Sequence, residues 1–514
     1  VERKWWTLIA VCVATLMLLI DVTIVNVALP DIQKALDASL SSLQWVVDAY
    51  ALTLASFLLV AGSIGDRIGR RQVFSIGFII FTGASFLCGI SPSATFLNFA
   101  RGAQGIGAAA MFATSLALIA QEFEGRERAT AIGAWGATIG GAVAIGPLVG
   151  GVLTEGLGWE WIFFVNIPIG AAALAITQIK LANVKASDPQ PIDRGGLVTF
   201  SAALFLLIFG LIRGNPEGWG SALIVCCFAA AAILLAAFVV IERRTKHAML
   251  DLKLFRNPSF TGVSIAAFAL SAGMFALFLY LTLYMQDVLE FSPLGAGVRF
   301  LPLTLLSFFV APIAGKFSDR VPTRLFLGFG LMTTGVGLLL MHGISVDDDW
   351  TTLLVGFIIA GIGVGMTNPA IASTAIGVVE PARAGMASGI NSTFRQVGIA
   401  TGVAALGAVF QSRIASTLSD LVPQAPPAFA DAVSSGATQQ ALENVPARFH
   451  DQAQAAANQA FINGLNDILL IGAIGAFVGG LLALALVRRR DFVAHGGAPA
   501  APAPEGEPQA ATAA

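Results

Sequence analysis

The sequence predicts an all-α polytopic membrane protein built from two repeated helical bundles, and three observations carry that prediction. Of its 514 residues, 56% are hydrophobic and only 12% are charged, whereas a soluble domain carries roughly 25% charged residues. The apolar residues gather into runs of membrane-spanning length separated by short charged turns. A charged turn in the first half, GSIGDRIGRR at 62–71, has an echo in the second, GKFSDRVPTR at 315–324, with Gly62/Gly315, Asp66/Asp319, Arg67/Arg320 and Arg71/Arg324 at the same offsets.

Runs bounded by charge, Gly or Pro define fourteen expected spans, at 5–29, 44–64, 73–92, 97–121, 130–153, 161–179, 195–212, 220–241, 260–285, 296–315, 325–343, 350–371, 385–409 and 465–487. The first is too long for a cleaved leader and is read as a helix that stays. With an even count both termini lie on one side. Placing them in the cytoplasm puts 22 of the 29 basic residues there, including Arg67, Arg70 and Arg71, so the orientation is N-in and C-in. Asp66 follows the second span and Asp319 the tenth. Two six-helix repeats would place the copy after the eighth, so two helices are inserted, and spans seven and eight are the candidates. The expected divisions are an N-terminal bundle at 1–180, inserted helices with connectors at 181–256 and a C-terminal bundle at 257–493. An outer loop at 411–461, with two surface helices, belongs to that last bundle; residues 494–514 form a small, Pro-rich, disordered cytoplasmic tail. Matching loops in matching places are the usual build of a secondary transporter.

Asp21 is the sharpest single residue, sixteen positions past Trp5 and so about 24 Å along a helix. A carboxylate at that depth is costly unless it is paired, lines water or takes up a proton. It reads as a fixed packing ion pair or, preferably, as a proton-binding or substrate-sensing acid. Asp48 and Arg101 lie at similar depth on other spans, and all three are expected to form one ionisable cluster. Gly146, Pro147, Gly150 and Gly151 in AIGPLVGGVL describe a bent, smooth helix at a bundle interface, either for sliding or for packing alone. Trp159 and Trp161 read as interface anchors, and Asn166 and Pro168 as a local break. In the second half, Arg395 needs an acceptor that its own span lacks. The four cysteines fall in apolar spans and read as small buried side chains. No GxxxxGK(S/T), H-E-x-x-H or CxxC is present, which argues against enzyme chemistry and for an ion gradient as the energy source.

At these residues the chain resembles the major facilitator superfamily, specifically its fourteen-helix drug:proton antiporter branch. GSIGDRIGRR is similar to the family's loop between helices two and three, LNFARGAQGIGAAA at 97–110 resembles its fourth-helix motif through Arg101, Gln104, Gly105 and Gly107, and GPLVGG at 146–151 resembles its fifth-helix antiporter motif. LIDVTIVNVALPDI and WIFFVNIP resemble motifs of the branch. Ala142 stands where a glycine is usual and Glu160 where an arginine is. The resemblance implies the major facilitator fold, two six-helix bundles plus two inserted helices, working by alternating access around a central apolar cavity. It implies that Asp66, with Arg67, Arg70 and Arg71, helps latch the cytoplasmic side, and that Asp21 and Arg101 act in coupling and substrate response; Asp319, Arg320 and Arg395 are the second-half candidates.

The expected function is therefore proton-coupled antiport that exports hydrophobic or cationic drugs, dyes or antibiotics across the cytoplasmic membrane, with no cofactor. Expected partners are small amphipathic or cationic compounds, protons and membrane lipids, with no nucleic acid. The chain is expected to act as a monomer, with an accessory export subunit as the alternative. A dedicated exporter of one metabolite, lipid or peptide is the runner-up. Proton-symport uptake and a non-transporting sensor fit the motifs less well.

Overall fold

The computed structural model describes residues 2–38, 40–182, 193–245, 248–317, 321–380, 383–443 and 445–493. Every described regular element is helical. In chain order the helices of the first part are α1 (Arg3–Leu36), α2 (Leu40–Ile68), α3 (Arg70–Gly89), α4 (Ala94–Glu122), α5 (Gly125–Leu157), α6 (Trp161–Phe164) and α7 (Asn166–Lys180). α8 (Arg194–Glu217) and α9 (Ala222–Arg244) follow. The remainder comprises α10 (Pro258–Leu270), α11 (Ala276–Leu283), α12 (Pro293–Arg299), α13 (Leu301–Phe317), α14 (Thr323–Met341), α15 (Leu354–Gly377), α16 (Ala384–Leu421), α17 (Pro427–Ser435), α18 (Thr438–Leu442) and α19 (His450–Leu486).

Twelve helical stretches among the described residues are long and apolar enough to cross a membrane. The other two expected spans fall on α5, whose apolar run is Leu148–Leu157, and on the shorter α13. Large apolar side chains such as Phe99, Val152, Ile179 and Ile233 are mostly exposed, as lipid-facing surface requires and as water would not tolerate in such number. Local chemistry sets the helix ends. Ser93, Asp193 and Asn257 accept N–H groups of the first turns of α4, α8 and α10. The break between α2 and α3 is a single residue, Gly69, at φ 115°, a conformation open to glycine at no steric cost. Between α10 and the end of that span lie two π-helical turns, Ser271–Phe275 and Tyr284–Val288.

Helices α1–α5 and α7 pack around one apolar cluster, and α10–α16 with α19 around another. The two groups meet where α2 crosses α16 and α5 crosses α13. Both crossings need glycine: a Cβ on Gly62 would stand 2.4 Å from the Gly385 carbonyl oxygen, and one on Gly133 would stand 2.9 Å from Pro312 Cα. α8 packs on α9 and reaches both α2 and α16.

Four expectations change. The 411–461 segment is mostly a continuation of its neighbours, because α16 runs on to Leu421 and α19 starts at His450. Of its two expected surface helices, the first is split into the short α17 and α18 and the second is the start of α19, and Phe429 and Val433 anchor the segment in the apolar cluster of the second group. Trp159 is buried rather than interfacial, whereas Trp161 is exposed. Cys226 is exposed on α9 and Cys12 half-buried, while Cys88 and Cys227 are buried as expected. The tail from 494 lies outside the described residues.

Candidate functional site

Two polar constellations stand out, one in the middle of the α1–α7 group and one at the end where α2 meets α16. The first is built on Asp21 of α1, which is 1% exposed. Its Oδ2 is paired with the Arg101 guanidinium of α4. Its Oδ1 accepts hydrogen bonds from Gln104 Nε2 at 2.9 Å and Asn166 Nδ2 at 3.3 Å. Gln104 and Asn166 also donate to Ser85 Oγ of α3, at 3.2 and 3.0 Å, and that hydroxyl donates to the Phe163 carbonyl at 3.0 Å. Arg101, also 1% exposed, donates to the Val46 carbonyl at 2.9 Å and to Gln104 Oε1 at 2.7 Å. Its guanidinium lies 4.4 Å from the centroid of the Tyr50 ring, a cation–π contact made stronger by the absence of water.

Five helices thus converge on one buried ion pair. Breaking such a pair by removing one partner leaves the other charge stranded, at a cost of about 3–5 kcal/mol. Asn166, which donates to Asp21, directly follows Val165, where the hydrogen-bonded helix lapses between α6 and α7, close to the expected local break. Ser85 and Tyr50 are the members that sequence reasoning missed. Ser85 is one of three hydroxyl residues on α3, with Ser75 and Thr82, and no local pattern marks it out.

Asp48 does not join this cluster, which corrects the expected triad. Val46 and Tyr50 face Arg101, and Asp48, two residues from each, points roughly the opposite way around α2. It is half-buried, and the cation in its electrostatic reach is Arg213 of α8, itself paired with Glu217.

The second constellation gathers the charged turn. Asp66 Oδ1 accepts the Gly385 N–H at 3.1 Å and Oδ2 accepts the Met386 N–H at 2.8 Å. These are orphan donors in the first turn of α16, where the helix dipole also favours an anion. Arg70 Nη2 pairs with Asp66 Oδ1 at 2.9 Å and Arg70 Nη1 donates to the Ala117 carbonyl of α4 at 3.2 Å. Arg67 donates to the Ala248 carbonyl at 3.2 Å, and Arg71 to the Gln178 carbonyl and Oε1 at 2.6 and 2.9 Å. Each charged residue of the turn therefore ties a different element to α2 or α3. The partner in the second helix group is backbone, which explains why no complementary residue could be picked out in the sequence.

Gly146 lies where α1 meets α5, one turn from Asp21: a Cβ there would sit 1.7 Å from Thr23 Oγ1. Gly150 is buried, Gly151 has open space around it, and α5 continues through Pro147 to Leu157. Arg395 is buried and donates to Asn368 Oδ1 of α15 at 2.9 Å, a neutral acceptor rather than a carboxylate. Asn391 lies one turn earlier on α16, and its Nδ2 is buried with no hydrogen-bond partner. Asp319 and Arg320 lie outside the described residues. Among the described residues no group of three or more His, Cys, Asp or Glu could hold a metal ion.

A family model described as Major Facilitator Superfamily matches residues 11–403, and the chain belongs to that superfamily. It is a multi-pass transporter of the cytoplasmic membrane, not an enzyme. It is 35% identical to the multidrug resistance protein Stp of Mycobacterium tuberculosis, over 90% of this chain and 88% of that one. It is 31% identical to the tetracenomycin C resistance and export protein of Streptomyces glaucescens, over 94% and 91%. It is 34% identical to the puromycin resistance protein pur8 of Streptomyces alboniger, over 81% and 84%. Among solved structures, the proton:xylose symporter XylE shares the fold with a TM-score of 0.64 at 12% identity, over 94% of this chain and 96% of that one. The human organic anion transporter MFSD10 does so with a TM-score of 0.61 at 14% identity, over 92% and 99%.

Proposed function

We propose that this chain is a proton-coupled antiporter that exports amphipathic drugs or antibiotics by alternating access. The observation that carries the reading is the buried Asp21–Arg101 pair with its amide and hydroxyl ligands, in a chain whose relatives are resistance and export proteins. Asp21 exchanges the proton. With Arg101 seated, the carboxylate is fully satisfied as an acceptor; with Arg101 displaced, protonation removes a buried charge. The Asp66 junction latches the cytoplasmic end, because its two hydrogen bonds to α16 exist only while α2 and α16 touch. In this reading the chain crosses the membrane fourteen times, α5 and α13 included, with both termini in the cytoplasm. The divisions are 1–180, 181–256 and 257–493. Asp319 and Arg320 are the second-half counterparts of the latch by sequence echo, and Arg395 with Asn391 offers hydrogen-bond donors to substrate. The chain acts as a monomer, without a cofactor.

A dedicated exporter of one compound is the second reading, favoured by the single-compound names of two relatives. Growth protection and efflux against a panel of unrelated compounds decide between them. Protection against several chemically distinct drugs, lost when the pH gradient is collapsed, supports multidrug antiport. Protection against one compound alone supports the second reading, and efflux indifferent to the gradient contradicts proton coupling.

A further inference from the structure

The helix pair α8–α9 carries two buried carboxylates that the transport reading does not use. Asp193 caps α8, its Oδ1 accepting the Gly196 N–H at 2.8 Å. Glu242 sits in the last turn of α9, and the two acids are 8% and 5% exposed. They converge over Gly196. A Cβ there would stand 2.6 Å from Asp193 Oδ2 and 2.6 Å from Glu242 Oε1, so the two oxygens are separated by no more than twice that distance. Glu242 Oε1 and Oε2 accept the Met249 and Leu250 N–H groups, each at 3.2 Å. Asp193 Oδ2 is buried with no hydrogen-bond partner.

Two buried carboxylates at this range cannot both be charged without strong mutual repulsion, and one proton between them relieves it. The surrounding charges point the same way. Arg67 of α2 is in electrostatic reach of both acids. Arg194, Arg243 and Arg244 are exposed, and Asp251 is paired with Arg383 at 2.7 Å. Lys246 and His247 lie outside the described residues. Among the described residues, one half-buried cation faces two buried acids, which leaves a place for one proton.

We propose that Asp193 and Glu242 share a single proton, forming a second protonation site distinct from Asp21, and that this site clamps the 248–251 segment onto the Asp66 turn. The segment is the mechanical link. Glu242 holds its Met249 and Leu250 amides, Arg67 holds its Ala248 carbonyl, and Ser63 Oγ donates to the Met249 carbonyl at 3.5 Å. Asp251 pairs with Arg383, the residue that precedes α16, whose Gly385 and Met386 N–H groups hold Asp66. Loss of the proton sets two negative charges against one another and loosens the clamp. The site stands whether or not export is driven by protons.

Infrared difference spectroscopy of the purified protein in lipid, titrated from acid to alkaline pH, reads the carboxylic-acid C=O stretch directly. The wild type is expected to lose one buried carboxylic-acid band during the titration, and Glu242→Gln and Asp193→Asn are each expected to lack it. A band unchanged in both variants overturns the proposal. If neither variant folds, hydrogen exchange on the wild type decides. Protection of the Met249 and Leu250 amides is expected to fall as the band disappears, and protection constant across the titration overturns the clamp.

Discussion

Replacing Asp66 by asparagine removes one charge from the junction between α2 and α16 while leaving its shape almost unchanged. The aspartate accepts two backbone N–H groups, one on each oxygen, and pairs with Arg70. Asparagine offers one acceptor oxygen, so its amide hydrogens confront the second N–H. Hydrogen bonds to a charged group are worth about 1.5–3 kcal/mol each, so the loss is about 3 kcal/mol once the retained bond and relaxation are allowed for. Because these bonds exist only when α2 and α16 touch, that energy comes off the closed form alone, a shift of roughly a hundredfold in the open–closed equilibrium. Spin-label distance measurements across the Asp66 ends of α2 and α16, with the exposed Cys226 first replaced by serine, read that population. The expected result is a broader, longer distance distribution in Asp66→Asn, with turnover reduced more than substrate affinity. An unchanged distribution together with unchanged turnover at normal expression refutes the latch.

Gly62→Ala probes the same junction without touching charge. Its Cβ meets the Gly385 carbonyl at 2.4 Å, where backbone cannot yield, so the same distances should lengthen and turnover should fall. Gly146→Ala, facing Thr23 Oγ1 at 1.7 Å, should lower thermal stability by about 1–3 kcal/mol of overpacking, whereas Gly151→Ala, with open space around it, should melt like the wild type. Arg395→Met removes a buried charge whose acceptor is the neutral Asn368, so stability should move by no more than about 2 kcal/mol while efflux falls. A large drop in melting temperature would instead make Arg395 a structural residue.

Much of the architecture was legible because lipid imposes simple rules: charge, length and apolar runs located twelve of the spans outright. Helix extensions were less legible. α16 and α19 continue past their apolar segments through Ala- and Gln-rich sequence, where helix propensity and packing, not hydropathy, set the ends. Asp21, Arg101 and Asp66 could be singled out because an isolated charge in an apolar run demands a partner. Their partners were harder to find: Gln104 and Asn166 are neutral, Ser85 is unremarkable in its helix, and the acceptors and donors at Val46, Gly385 and Met386 are backbone. Asp48 shows the limit of matching residues by depth alone. It lies level with the others but on the wrong side of its helix, a distinction of two residues in register.

The central claim is that proton exchange at Asp21 drives export. Its most direct test is efflux of a fluorescent lipophilic cation from reconstituted vesicles under an imposed pH gradient, comparing the wild type with Asp21→Asn at matched incorporation. The account predicts gradient-dependent efflux in the wild type and loss of that dependence in the variant, with binding of the cation retained. Gradient-driven efflux persisting at the wild-type rate in Asp21→Asn would contradict it and would move the coupling site elsewhere in the protein.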